Sequence, residues 1–439
     1  MGSVTVDQAK LVMNTFVMLF EDNLVSGDAV SWNEHSGELD DTNKLTVVEQ
    51  VAPRFKITRT QNGVKDLSAG TDGAVFGSEQ FTIDGTFNAN MGWGDFVKIR
   101  DIGAARESKA LTGAATSMAE QIDAYIIGIA ATAANNQTGV IGNVIANYAD
   151  VAMGITRLKE EGVADSDMKA ILTHYDRGAL GDSVINKAAL SGMATDTYKR
   201  GWRSEVAGLP TEFTNQLPTF TTGTRVATGG TVAGAAQNVN YAAVAISAAN
   251  GQFLSQTLNL AGLGAGATGK KGDVFTIGGV FAFDQRKQAP VNPSRLQQFT
   301  LVDDFVADGA GAATVRIFPA MIVPGSGAGD NININSAHGT VTAAPANAAP
   351  VTFMGAPNTA FGQRLILGKD AVVVDTIPLI MPATGIAMRK KLSRIPITVR
   401  MWQWSDFYTG AHSVRFDVAL NANIRNRRAA VRINGGAAF

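Results

Sequence analysis

The 439-residue chain contains no cysteine. Disulfides, thiolate zinc sites and cysteine nucleophiles are thereby excluded. A secreted chain of this size would usually carry some, so folding in a cytoplasm is expected. Charge is scarce too: only 17% of residues are Asp, Glu, Lys or Arg, and the formal net charge is -1. No global basic field therefore marks the chain as one that coats nucleic acid. In place of charge stand 47 glycines and long Ala-rich tracts. Such a neutral, small-residue surface is readily buried against a neighbour, because few charges need desolvating. This favours a subunit of an assembly.

Long apolar runs are missing as well. The N-terminal run LVMNTFVMLF contains Asn14, has one Lys before it and lacks a small-residue cleavage site. It fails as a signal peptide and is too short to span a bilayer. The Met-Gly start lacks Ser or Thr at position six, so myristoylation is not expected. Met13, Phe16, Val17 and Phe20 fall at helical spacing instead, which predicts an amphipathic arm helix.

Beyond the arm the chain is patterned. From Val48 to Asn90 the sequence alternates and turns, with hairpin signals at Asn62-Gly63 and Asp72-Gly73 flanked by Phe55, Ile57, Val75 and Phe76. A two-stranded ribbon polar on both faces is poorly stable alone and needs outside support. The strongest helix is expected from Asp101 to Ala134. Leu111, Ala115, Met118, Ile122, Tyr125, Ile126 and Ile129 recur at three- and four-residue steps, and Glu107, Lys109, Glu120 and Asp123 are expected off that stripe. About thirty residues span roughly 45 Å, the length of a strut. A second helix, Asn147 to Glu161, turns Val151, Ile155 and Leu158 inward and is capped by Gly162. Met168 to His174 reads as a buried strand.

Near Thr221 the texture changes. From there to Pro345 helical periodicity is almost absent and strand candidates succeed one another: Ala242–Ala248, Gln256–Leu260, Val274–Ile277, Val280–Phe283, Phe299–Val302 and Thr314–Phe318. Their spacing and Gly turns predict a small all-β barrel or sandwich. The stretch 324–350 reads as a loose return linker. After it the α+β texture resumes in RLILGKDAVVVDTIPLIMP, IPITVRMWQW and HSVRFDVALNANI. One domain is thus expected inside another.

Motifs of chemistry are weak. GAGATGKK holds G-x-G-x-x-G (Gly264, Gly266, Gly269) and G-x-x-x-x-G-K, but Lys271 stands where a phosphate loop has Ser or Thr, and DVFTIGGVFAF behind it is strand-like. Without a succeeding helix N-terminus the loop reads as a turn. His35, His174, His338 and His412 are scattered and form no metal or triad motif. Asp303 and Asp304 are adjacent, so on a strand they would face opposite sides, and a solvated turn is the better reading. Arg425, Arg427, Arg428 and Arg432 alternate with Ile424, Ala429, Val431 and Ile433. They suit DNA contact or a strand and subunit interface equally well.

YKRGWRSEVAGLPTEFTNQLP, Tyr198 to Pro218, resembles the major coat proteins of short-tailed phages of the P-twenty-two type, where a similar run precedes an inserted domain. GTFNANMGWGDFVKIRD, KGDVFTIGGV with ATVRIFPAM, KDAVVVDTIPL, ITVRMWQWSD and RFDVAL continue the likeness in order over most of the chain. The resemblance implies a Hong Kong ninety-seven fold of α+β class. Its parts would be an N-terminal arm (1–50), an extended loop (51–95), and a spine helix with the first part of the peripheral and axial domains (96–220). An inserted all-β barrel (221–345) and the rest of the axial and peripheral domains (346–439) would complete it. The chain departs from the family at GAAQNVNYAAVAIS, short and uncharged where the family example has a charged loop joining neighbouring capsomers.

The resemblance further implies a phage major capsid protein that self-assembles into pentamers and hexamers of an icosahedral shell. A scaffolding protein, a portal and packaged double-stranded DNA without sequence-specific contact would be its partners. Assembly is expected in the host cytoplasm, without a membrane. No enzymatic activity, catalytic residue, cofactor-binding residue or metal ligand is expected. An encapsulin-like compartment shell is the nearest alternative, and a nucleotide-dependent enzyme a remote one resting on the glycine loop alone.

Overall fold

The computed structural model describes residues 6–40, 43–57, 74–92, 108–187, 205–249, 251–292, 294–405 and 412–436. The chain divides into two compact units, one from residues 1–47, 82–129 and 372–423 and the other from 48–81, 130–371 and 424–439.

The first unit carries helix α1 (Val6–Asn23), most of helix α2 (Lys109–Ala133) and a sheet. The strand order is Ser31–Glu34, Val372–Thr376, His412–Ile424, Thr398–Ser405 and Ile386–Lys391, with Thr86–Gly92 also paired to His412–Ile424. Alternating β-branched and aromatic residues set the register, Met401 opposite Phe416 and Arg400 opposite Asp417. Arg400 and Asp417 are both buried and meet at 2.7 Å, which satisfies the charges that the sheet encloses. The stripe expected on α1 is a core face: Met13, Phe16, Val17 and Phe20 are buried. The Phe16 ring stacks on Phe416 with centroids 3.9 Å apart.

Helix α2 has 25 residues, about 37 Å at 1.5 Å per residue. Leu111, Ala115, Met118, Ile122 and Ile126 are buried, and the half-buried Tyr125 donates its hydroxyl to Asn421 Oδ1 at 2.6 Å. Lys109 and Glu120 are exposed as expected; residues 93–107, Glu107 among them, lie outside the described residues. Asp123 corrects the sequence reading. It is 2% exposed and accepts the backbone N–H groups of Val25 at 2.9 Å and Ser26 at 2.8 Å. Burial raises its pKa and these hydrogen bonds oppose the rise. Helical spacing cannot reveal such a partner, which comes from a turn almost a hundred residues away.

In the second unit a six-stranded sheet runs Asn136–Thr138, Ala430–Ile433, Arg364–Gly368, Met168–Leu172, Leu209–Phe213 and Glu205–Val206. Helix α3 (Tyr148–Glu161) lies on it, with Val151 and Leu158 in one cluster with Ile366, Val431 and Ile433. Gly154 permits this approach, since a Cβ there would stand 2.6 Å from Ile433 and 2.8 Å from Ile366. Gly162 ends the helix at φ 93°, as expected. The strand expected over Met168–His174 stops at Leu172, and His174 opens helix α4 (His174–Lys187), which its polar sequence did not announce.

The β-texture forms a closed barrel in the order Thr228–Val232, Gln256–Ala261, Ala313–Phe318, Leu296–Leu301, Val274–Phe281 and Pro350–Phe353. Leu258, Phe275, Ile277, Phe299, Ile317 and Phe353 fill it. Two expected strands, Val274–Ile277 and Val280–Phe283, are largely one, and the sixth strand comes after Pro345. The barrel hangs on a neck in which Thr219–Thr221 pairs antiparallel with Ala360–Gly362.

Two sequence expectations fail in this region. Ala242–Ala248 is mainly the end of a short helix α5 (Tyr241–Val244) and the two-residue strand Ile246–Ser247. The stretch 324–350 contains helix α6 (Asn331–His338), whose Ile334 packs with Tyr241, Ala245 and Ile322. Buried Asn335 organises it, accepting the Tyr241 N–H at 2.9 Å and donating to Asn240 Oδ1 and Ser326 O at 2.8 Å. Amide anchors of this kind leave no apolar period in the sequence. The turns at Asn62-Gly63 and Asp72-Gly73 lie outside the described residues; of their flanks, Phe55, Ile57 and Phe76 are exposed.

Candidate functional site

The glycine loop can be judged atom by atom. Gly264 and Gly266 take positive φ, 96° and 66°, and Thr268–Gly269 then pairs with Phe305–Val306. Two carboxylates hold the Lys270-Lys271 backbone. Asp273 Oδ2 accepts the N–H groups of Lys270 at 3.0 Å and Gly223 at 3.1 Å. Asp304 Oδ1 accepts the Lys271 N–H at 2.6 Å while Lys270 Nζ reaches Asp304 Oδ2 at 3.2 Å. The backbone then enters the strand Val274–Phe281 rather than a helix. The donors that would cradle a phosphate are thus already engaged by the chain's own carboxylates, with no helix dipole to add. Asp303 turns the other way, to Arg316 at 3.3 Å. Because Lys270 and Asp304 are both half exposed, Lys270→Ala with Lys271→Ala is expected to change unfolding free energy by about 1 kcal/mol or less. Urea titration of the double variant checks this.

His35, His174 and His338 do not converge; the His412 side chain lies outside the described residues. His35 Nε2 lies 2.9 Å from Asp375 Oδ1, His174 stacks on Phe213, and His338 stacks on Tyr241 with centroids 3.5 Å apart. Burial, foremost, pushes His338 down to about 4. Among the described residues no three His, Asp or Glu side chains are grouped to hold a metal.

Of the C-terminal arginines, Arg427 and Arg432 are turned inward, while Arg425 is exposed. Arg427 is 4% and Arg432 1% exposed. Arg427 donates to Gly251 O and lies over the Phe318 ring at 5.4 Å. Arg432 donates to Ala134 O at 3.4 Å and lies over Phe220 at 5.9 Å. Arg428 faces Glu161 at 3.7 Å, and Arg425 meets Glu49 at 2.5 Å. Arg427 and Arg432 therefore serve the interior of this unit, and DNA contact is ruled out for both. Burial lowers each of the two to about 10.

Glu79, missed in the sequence, stands in the same region. It accepts the Phe253 N–H at 3.3 Å, and burial raises it to about 7 against hydrogen bonds from Phe253, Gly251 and Gln252 and the charge of Arg427. Between its unfolded value of 4.5 and about 7, the native state holds a proton that the unfolded state has lost. Stability from this group therefore falls as pH rises through that window, by about 3 kcal/mol in all. His338 acts oppositely between about 4 and 6.5, so the two slopes overlap and partly cancel. Glu79→Gln is expected to gain about 3 kcal/mol relative to wild type between pH 4.5 and 7.5. Parallel urea-midpoint curves for the two proteins would contradict it.

Barrel and sheet are joined by polar groups rather than by apolar packing alone. Gln298 Nε2 donates to Gln137 O at 2.9 Å and Gln298 Oε1 accepts the Gln137 N–H at 2.8 Å, completing a strand-like pair. Thr300 Oγ1 contacts Asn135 Oδ1 at 3.2 Å. The described residues thus form two helices of 18 and 25 residues, two six-stranded sheets and a closed barrel. The family model of the P22 coat protein (gene protein 5) matches residues 1–435.

The chain belongs to the P22 coat protein family.

It is thus a phage major capsid protein. No curated protein sequence matches this coat protein. Similar solved structures include a capsid structure of the cyanophage P-SCSP1u, 11% identical, covering 94% of this chain and 89% of that one with a TM-score of 0.42. A Mycobacterium phage Che8 structure is 11% identical, covering 89% and 84%, with a TM-score of 0.38. A virus-like particle from Pyrococcus furiosus is 8% identical, covering 97% and 98%, with a TM-score of 0.36. In this coat protein the uncharged segment GAAQNVNYAAVAIS is largely at the surface, with Gly234, Ala235, Ala236 and Ile246 exposed, and is anchored at two buried residues. Gln237 Nε2 donates to Ala233 O at 2.8 Å, and Tyr241 and Ala245 are buried. No helix among the described residues is long and apolar enough to cross a membrane.

Proposed function

We propose that copies of this coat protein assemble into pentamers and hexamers of an icosahedral shell that encloses double-stranded DNA. A scaffolding protein guides that assembly in the host cytoplasm, a portal occupies one vertex, and DNA is held without sequence-specific contact. The observation that carries this reading is the family match over residues 1–435. The exposed Phe55, Ile57 and Phe76 support it, since large apolar side chains beside an expected loop suit burial by a neighbouring copy. The N-terminal arm, extended loop, spine helix and inserted barrel keep the roles the resemblance implies. The chemistry is association, and no residue is assigned to catalysis, a cofactor or a metal. An encapsulin-like compartment is less well supported, because the matching family is one of coat proteins.

Negative-stain microscopy of the purified protein, alone and with its phage's scaffolding protein, tests the proposal. Closed shells of uniform diameter are the expected result. Discrete small particles under both conditions would overturn it.

A further inference from the structure

The second unit holds a cavity of about 480 Å³, within the range of small-ligand pockets. Six arginines line it: Arg54, Arg286, Arg295, Arg425, Arg427 and Arg428. Its acids are Glu79, Glu160, Glu161, Asp284 and Asp370, and two of them are already paired with arginines. Glu160 is gripped by Arg295 through Nε and Nη2 at 2.9 Å each, and by Arg157 at 3.3 Å. Glu161 lies 3.7 Å from Arg428. Arg425 has its own partner in Glu49.

Arg54, Arg286 and Arg427 make no direct ion pair among the described residues, while the lining carboxyl of Glu79 acts on Arg427 at longer range. The wall is also rich in unmet donors: Arg295 Nη1, Arg427 Nη1 and Arg428 Nε are buried and find no acceptor among the described residues. No carboxylate oxygen of the lining acids is stranded in the same way among those residues. Like charges crowd the wall as well. Burial foremost lowers the pKa of Arg428, Glu161 opposes this, and Arg54 and Arg295 add to the lowering. Buried guanidinium N–H groups without acceptors are unfavourable until an anion joins them.

We propose that this cavity binds a small multivalent oxyanion of the phosphate class. Guanidinium forks match phosphate oxygens in geometry and stay charged at any working pH. A pocket this small cannot admit a duplex, so the ligand is a free phosphate or the phosphate tail of a nucleotide. Such an anion would tie together chain segments far apart in sequence: Arg54 after the strand Leu45–Val51, Arg286 and Arg295 from the barrel region, and the turn at Arg427 and Arg428.

The test is calorimetric titration of the purified full chain with pyrophosphate at fixed ionic strength, alongside melting curves. Saturable binding and a melting temperature that climbs with pyrophosphate, but not with chloride of equal ionic strength, are expected. Arg54 is exposed, so Arg54→Gln should fold normally and weaken binding about tenfold, the worth of one charge-assisted hydrogen bond. Arg428→Gln should weaken it similarly, and should that variant not fold, Arg54→Gln decides. The Lys270→Ala, Lys271→Ala double variant should bind as wild type does. ADP binding more tightly than pyrophosphate identifies nucleotides as the source, and equal binding identifies free phosphates. No saturable signal with pyrophosphate, unchanged affinity in Arg54→Gln, or affinity lost in the double-lysine variant overturns the proposal.

Discussion

Ile122→Asp is expected to give aggregated or monomeric protein and no shells. Ile122 is fully buried at the middle of the α2 stripe. A carboxylate there would lose its hydration without gaining a partner, a penalty of several kcal/mol even after relaxation. The adjacent residue shows what the position would need. Asp123 is tolerated in the interior because two backbone N–H groups, from Val25 and Ser26, point at it. Glu120 is exposed, so Glu120→Gln should assemble normally, with a change of about 0.5 kcal/mol or less. Sedimentation and microscopy of both variants check the pair, and normal shells with unchanged melting from Ile122→Asp would show that the stripe is not a core face.

Asp273→Ala is expected to destabilise the barrel by about 3–5 kcal/mol. Arg225 and Asp273 are 0% and 1% exposed and 3.0 Å apart. Removing the carboxylate strands a buried guanidinium and frees two backbone donors, those of Gly223 and Lys270. Asp304→Ala is the matched control. It holds the same loop from the other side, but Asp304 is half exposed and water can replace it, so a loss of about 1 kcal/mol or less is expected. Denaturant unfolding of both variants, monitored by near-ultraviolet circular dichroism, would separate them; equal losses would show that burial is not what distinguishes the two aspartates.

Much of the architecture was legible because it rests on apolar period. The face of α1 at Phe16 and Phe20, the stripe of α2, the Gly162 cap and the barrel strands around Leu258 and Ile317 all arise from side chains seeking the interior. What was not legible rests on polar groups with distant partners. Asp123, Asn335, Gln298 and Arg432 are interior residues whose hydrogen bonds come from elsewhere in the chain, so their types alone suggested surface. Helices α4 and α6 were missed for a related reason, since HYDRGALGDSVINK and NININSAH have little apolar period. The glycine loop reads as a turn in the sequence because no helix follows it, and the structure supplies a further reason. The glycine loop had the letters of a phosphate cradle, yet Asp273 and Asp304 occupy the donors. The Arg427 and Arg428 turn, without any motif, lines the cavity where an anion is now inferred.

The neck at Thr219–Thr221 and Ala360–Gly362 brings the two ends of the barrel region side by side, and we propose that this makes the barrel replaceable. Its two ends leave the host one strand spacing apart, and closure entropy grows only with the logarithm of loop length. The host is therefore nearly indifferent to how many residues the graft contains. A foreign domain with adjacent termini could replace it at that junction. The surgery would uncover Asn135 and Gln137, buried amides now served by Thr300 and Gln298. A successful chimera must supply donors and acceptors there, and also partners for Glu79, Arg427 and Glu160, which the same region serves through Phe253, Gly251 and Arg295, or leave room for water to do so.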